Sequence, residues 1–416
     1  MTAVVLTGRP ADEVSDRPGN VWDPVTVKWA VALTVAVMAS GMAFSLGWNP
    51  LVHHLPGQLL PGDFGSTMKD ALVISQGRLS WVYSDHAQLV TLPGYPLLLA
   101  PVAGLCRLLQ LSQPWLVSGP FEMATGAVAL LGVDRLAVTL DIPRRSRMWL
   151  SAAEAAAVWP TLVVWGHPED VLAVGLCALC LSAAAEGRWR PAGWLLGAAL
   201  AVQLLAVLLL PVLVAAAGRR RAVRMTARAA VLPGLLSAAV LVPDFHAAWS
   251  ALTGQPNYPG VDHPTPWIVL SPSMGHGTVA AGPGRIVGLL AALGCGVMAG
   301  RAVGDPARLV WWASVALAGR CLFEAVMDPY YVMPALALAL PLAFRQHRRR
   351  VAVVALATLA LMVDTAESAG MWTYWLRMAA LLAVVLATTH PGGTRVAPRR
   401  SAVGTGLGRA GGRSVV

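Results

Sequence analysis

Lysine is almost missing from this 416-residue chain, with Lys28 and Lys69 the whole complement. Charged residues of every kind make up only 12% of the sequence against 56% apolar ones, far too little polar surface for a soluble domain of this length. The five cysteines, Cys106, Cys177, Cys180, Cys295 and Cys321, all fall in or beside apolar runs, which argues against both a disulfide framework and a zinc site. Cys177 and Cys180, three apart, read as ordinary helix packing. No internal repeat of the kind that halves a transporter is visible, which weakens the case for a secondary carrier. The first 28 residues lack the basic start of a cleaved signal peptide and instead hold Asp12, Glu13, Asp16 and Asp23, so the first span is expected to stay attached.

What the chain does have is one long apolar run after another. Each crossing takes about 20 residues, so the pattern predicts an all-α, polytopic helical membrane protein with roughly ten to twelve membrane segments. The net charge of +10 comes from arginines gathered in short loops: Arg144–Arg147, Arg188–Arg190, Arg219–Arg228, Arg301–Arg308 and Arg345–Arg350. Basic loops of this kind mark the inner side of a membrane, so a nucleic-acid partner is not expected. The intervening segments carry Asp63, Asp70 and Asp85, then Glu169 and Asp170, Asp244 and Asp262, Asp328, and Asp364 with Glu367, and are assigned outside. Arg, Ala, Val and Gly in place of Lys fit a GC-rich genome such as an actinobacterial one.

Three regions follow. Residues 1–28 form a cytoplasmic N-terminal segment, 29–390 the transmembrane domain with outer loops 49–95 and 243–284, and 391–416 a basic, Gly-rich cytoplasmic tail without the apolar content to fold. Simple alternation of sides breaks twice. Two runs, 96–111 and 115–140, lie where an odd number of crossings is needed, so one is expected to be partial, which Pro101 and Pro114 permit. The run 191–217 begins and ends beside basic clusters, and Gln203 at its centre marks an expected break between two half-helices, a geometry tolerated only inside protein.

The polar stretch from Gly62 to Ala100 stands apart from its surroundings. Asp63 follows Pro61-Gly62, where a turn is expected, and a helical run with Ala71, Leu72 and Ile74 comes next. Gln76-Gly77-Arg78 ends that run, Trp81-Val82-Tyr83 suits the headgroup layer, and Tyr95-Pro96 leads into the next apolar segment. An early acid, a short helix, Gly77, the pair Trp81 with Tyr83, and then Tyr95-Pro96 together resemble the first extracytoplasmic loop of the GT-C superfamily of integral-membrane glycosyltransferases. The branch it is most similar to is family 87, which includes polyprenyl-phosphate-mannose-dependent mannosyltransferases of actinobacteria acting on phosphatidylinositol mannosides. The resemblance covers about residues 29 to 390. It departs from the family at Gln203, where relatives frequently carry Lys, and in the turn Gly166-His167-Pro168-Glu169-Asp170.

That resemblance implies an inverting, metal-independent transferase at the cell membrane with its site facing outward. It would move a hexose, expected to be mannose, from a polyprenyl-phosphate sugar to a lipid-linked or glycan acceptor, with membrane lipids around it and no cofactor. Asp63 is then the general base, with Asp70 and Asp85 as competing acids and Asp85-His86 reading more simply as a surface turn. Arg320, one turn from Glu324 inside an apolar run, is either half of a structural ion pair or the grip on the donor phosphate. His167, Glu169, Asp170, Tyr95, Tyr330 and His263 are the candidates for holding acceptor or donor sugar. Pro168, Glu169 and Asp170 also make sense as a helix start, which leaves His167 the least explained by capping. The histidines of the 243–284 loop lack ligand spacing, and no metal is expected. A transporter of lipid or polysaccharide precursors, or a non-catalytic subunit of an envelope-assembly complex, are the alternatives; the first would need polar groups at helix midplanes, where charge is scarce.

Overall fold

Pro168 opens the helix around which the rest is packed. The computed structural model describes residues 27–36, 62–83, 92–111, 115–254, 256–257, 264–270, 273–274, 278–280, 282–300, 304–325, 327–346, 348–363 and 370–392. Proline at the first position, where its missing N–H costs no hydrogen bond, starts α6 (Pro168–Ala185), and Glu169 and Asp170 lie in its first turn. Its 18 residues span about 27 Å, and 14 of them are buried.

Small residues let its neighbours close in. α4 (Trp115–Thr139) crosses α6 where Gly132 meets Gly175, and a Cβ on Gly175 would stand 2.6 Å from the Val128 carbonyl oxygen. Such contacts suit helices in lipid, where backbone proximity and van der Waals packing replace the hydrophobic effect as the force between helices. α5 (Arg144–Trp159) runs beside α4, joined to it by the buried pair of Arg147 and Asp134 at 3.3 Å. At the far end of α6, Glu186 binds Arg135 of α4 and Arg188, while Thr139 and Ser182 hydroxyls meet at 2.6 Å.

α7 (Trp189–Val202) returns along α6 and ends at Gln203, whose backbone is extended (φ −148°, ψ 114°). A 3-10 stretch, Leu204–Leu209, and then α8 (Leu210–Ala217) follow, so the expected break at Gln203 is present. α9 (Arg219–Leu241) packs outside α7, with Val223, Val231 and Leu235 exposed. α11 (Gly282–Gly300), α12 (Pro306–Phe323) and α13 (Met333–Phe344) complete the other flank, and α13 is buried on all sides. α14 (Arg348–Val363) and α15 (Met371–Thr389) lie outside these.

The protein is all-α in its architecture, with one small addition. In the loop after α10 (Phe245–Gly254), the two- and three-residue strands β1 (Pro256–Asn257), β2 (Ser273–Met274) and β3 (Thr278–Ala280) pair antiparallel with β3 central. Among the described residues, three helices are long and apolar enough to cross a membrane: Pro168–Ala185, Arg219–Leu241 and Met371–Thr389. In the last two only 22% of the apolar window is buried, so their apolar faces point outward where only lipid would suit them. This is a helical membrane protein. α1 (Val27–Ala36) covers part of the expected first span, and α3 (Gly94–Leu108), at 15 residues with Pro101 inside, is short for a full crossing of about 20.

Candidate functional site

The first element at the site is α2 (Gly62–Ser75), which begins one residue before Asp63. The expected turn is thus the helix's own first turn, and the carboxylate stands at its N-terminus, where the helix dipole favours a negative charge. The side chain is 60% exposed, so it faces an open space while belonging to a fixed element. Gly77, at φ +71°, ends this segment as expected, because a left-handed backbone there strains any residue with a Cβ. Beyond it Trp81 is exposed under Arg78, whose guanidinium lies 4.4 Å from its ring centre, whereas Tyr83 is buried with Ile74, Val82 and Ala248. The expected aromatic patch is therefore half surface and half core.

The second element is the start of α6. α5 continues into a π turn, Pro160–Trp165, and the chain then reverses at Gly166 in the left-handed region (φ +76°). The His167 amide closes this turn on the Thr161 carbonyl at 2.9 Å. A π turn widens the helix by one residue and is common beside functional groups. Here it presents His167 across the space to α2. His167 Nε2 lies 3.1 Å from Asp63 Oδ2, and Nδ1 lies 2.7 Å from Glu169 Oε1 and 3.9 Å from Asp170 Oδ2. Burial acts to lower the imidazole pKa, but Glu169 and Asp63 overcome it and hold the ring well above the ordinary histidine value.

Gln203 supplies the third element. With its backbone extended at the break, its side-chain amide donates to Asp170 Oδ1 at 2.5 Å. The residue that interrupts the helix thus reaches back to the acid on α6. Between α6, α12, α13 and this break lies a narrow cavity lined by Asp170, Gln203, Leu205, Leu317 and Leu338.

The fourth element is the end of α12 and the 3-10 turn after it, Pro329–Val332. Arg320 is in the last helical turn and Glu324 caps it, with Nε 3.0 Å from Glu324 Oε2. The guanidinium carbon sits 4.6 Å from the centre of the Tyr331 ring, and Nη1 is buried without a hydrogen-bond partner among the described residues. Asp170 is among the acids that face Arg320. Tyr330 stacks on His167 with centroids 3.9 Å apart and planes inclined by 23°, and its hydroxyl donates to Asp328 at 3.2 Å. The segment 264–270 fastens this end: Thr265 donates to the Glu324 carbonyl, and the Trp267 indole to the Leu322 carbonyl at 2.7 Å.

Asp63, His167, Glu169, Asp170, Arg320 and Tyr330, distant in sequence, are therefore neighbours. Tyr95 lies at the edge, fully buried, with Glu169 and Glu122 as the acids facing its hydroxyl, which has no hydrogen-bond partner among the described residues. His263, Asp85 and His86 lie outside the described residues. Asp70 is directed elsewhere: seven residues on, it is about 10 Å along α2 from Asp63, buried toward Tyr83. Burial raises its carboxyl to about 8 against the opposing effect of Lys69. The role of Gln203 as a partner of Asp170, and that of Tyr331 as a platform for Arg320, had no signal in the sequence beyond a polar residue in an apolar run and an aromatic pair. His167, Glu169 and Asp170 each place one ligand-type atom within 4.8 Å of the others. The imidazole is engaged by two carboxylates, and the helix N-terminus and Arg320 bring positive charge to the same acids.

The arrangement offers an exposed carboxylate held by an imidazole, and a buried guanidinium with one arm unused, at one end of a helical membrane bundle. That combination suits proton removal beside an anionic group. No protein-family model matches the chain, and no curated protein matches it.

Proposed function

We propose that the chain is a multi-pass, inverting glycosyltransferase of the GT-C type, which takes a hexose, with mannose first choice, from a polyprenyl-phosphate carrier. The acceptor would be a lipid-linked or glycan hydroxyl on the extracytoplasmic side. The observation that carries this reading is the convergence of Asp63 and Arg320 on the cluster at the start of α6. The clustered end of the bundle is also the end away from the arginines. α6 leads from His167 to Arg188, α12 from Arg308 to Arg320, and α13 from Tyr331 toward Arg345, so basic residues gather opposite the site, as an outward-facing site requires.

In the reaction, the acceptor oxygen attacks the anomeric carbon as the bond from that carbon to the phosphate oxygen breaks. Asp63 takes the hydroxyl proton late, when the forming bond has made it acidic, and the bonding pair leaves on the phosphate. Arg320 meets that charge with the arm that Glu324 does not occupy. One displacement inverts the anomeric centre. Phosphate leaves readily, so the step needs no metal in principle.

The test is transfer from a labelled polyprenyl-phosphate mannose by purified protein in lipid nanodiscs. Asp63→Asn should keep expression and donor binding while turnover falls about 10²–10⁴-fold, the usual worth of a general base. Arg320→Lys should fold and bind donor more weakly, because an ammonium keeps the charge but not the two-pronged grip. Near wild-type turnover in Asp63→Asn, or unchanged donor affinity in Arg320→Lys, would remove the assignment of that residue. A carrier of lipid precursors would instead move intact donor across the bilayer in proteoliposomes without cleaving it.

A further inference from the structure

The two ring nitrogens of His167 are both directed at carboxylates, Nε2 at Asp63 from α2 and Nδ1 at Glu169 from its own helix. With both so engaged, neither is turned to the sugar hydroxyl that the sequence suggests as a partner. Only a protonated ring can donate in both directions at once. Its face is covered by Tyr330 at 3.9 Å, where an aromatic ring favours a cation over a neutral imidazole. The contact with Asp63 also spans 104 positions of sequence and ties down a carboxylate that is otherwise open to solvent.

We propose that His167 is a positioning residue, an imidazolium clamped between Asp63 and Glu169 and stacked on Tyr330, which ties one oxygen of Asp63 and leaves Oδ1 for the acceptor hydroxyl. This rests on the transferase reading for its purpose but not for its geometry. The charged and titratable groups facing the ring are Asp63 from α2, Glu169 and Asp170 from α6, and Tyr330 and Tyr331 from the turn after α12, while Arg320 of α12 faces Asp170. Asp63 and Glu169 lie at 3.1 and 2.7 Å from the two ring nitrogens, which favours the protonated ring. Its value is raised in the folded protein, hence the clamp is complete below that value and is lost as pH rises through it. Turnover should fall on the alkaline side for this reason, and Tyr330→Leu should move that limb to lower pH.

Two readouts separate the clamp from the reaction. In histidine-selective ¹⁵N spectra of the full chain in nanodiscs, with the His167 signals assigned from their loss in His167→Gln, both ring nitrogens should carry protons at neutral pH. Asp63→Asn and Glu169→Gln should each lower the titration midpoint of that ring. In transfer assays, His167→Gln should lower kcat by about ten- to a hundredfold with KM little changed, as expected when a reacting group is misplaced rather than removed. If His167→Gln does not fold, Glu169→Gln leaves the imidazole present and gives the same kinetic readout. A neutral His167 at neutral pH, or a midpoint indifferent to Asp63→Asn, overturns the clamp whatever the activity. A kcat unchanged in both His167→Gln and Glu169→Gln overturns it too. A charged, Asp63-dependent ring in a protein that transfers no sugar upholds the clamp and defeats the transferase reading.

Discussion

Two aspartates on one short helix have opposite fates. Asp63, in the first turn of α2, is solvated, near the helix N-terminus and tied to an imidazole. Asp70 is buried with one oxygen unpartnered among the described residues, and its carboxyl rises to about 8. The folded state therefore holds a proton that the unfolded chain releases near pH 4, the ordinary range for aspartate. Stability from this group is full below that range and declines as pH rises toward about 8. Asp70→Asn, which cannot ionise, should raise the unfolding temperature in detergent at pH 8 clearly more than at pH 5, and should leave sugar transfer near the wild-type rate. An equal gain at both pH values would show that Asp70 is not neutral in the fold.

At the scale of elements, the position of the site depends on how closely α4 and α6 approach. A Cβ on Gly132 would lie 2.3 Å from the Gly175 carbonyl oxygen, and one on Gly175 would lie 2.6 Å from that of Val128, both with backbone that cannot yield locally. Gly175→Ala must push the helices apart, at a cost of about 1–3 kcal/mol as for other overpacked interiors. α6 carries His167, Glu169 and Asp170 at its tip, so the displacement is passed to the site. The expected result is a lower unfolding temperature together with a weakened Asp63–His167 contact, seen as a downward shift of the His167 titration. The same change at Gly65 of α2, where no atom lies within 4 Å of an added Cβ, should be silent.

For the whole molecule, the arrangement of charge predicts a direction. The cluster of Asp63 and His167 and the arginines of α9 lie at opposite ends of the bundle in the proposed topology, with the arginines inside. With an impermeant thiol reagent on intact cells, Gly65→Cys should label and Arg220→Cys should label only after permeabilisation. The native cysteines are buried at all five positions, so background labelling should be low. Labelling of Arg220→Cys alone on intact cells would reverse the topology and with it the extracytoplasmic site.

The sequence alone determined the class: apolar runs with arginines between them leave only a helical membrane bundle, since backbone groups in lipid must find partners within their own segment. It also marked Gln203 as a helix break and Gly77 as a helix end, because both are local matters of backbone geometry and one polar residue in an apolar run. It singled out Arg320 as a costly charge inside an apolar run, and Asp63, His167, Glu169 and Asp170 as polar residues of the segments between such runs. Their partners were decided by the fold. Whether Arg320 serves Glu324 alone, whether Gln203 reaches Asp170, and whether His167 meets a sugar or another carboxylate depend on which helix ends are brought together. Periodicity within a helix carries no record of that. The three-stranded patch and the inward turn of Tyr83 were equally hidden, each depending on a partner from a remote segment. Asp63 and Asp70 show the reason most simply, because two identical carboxyls seven residues apart are distinguished only by what packs against each: an imidazole in an open cleft for one, and a closed apolar interior for the other.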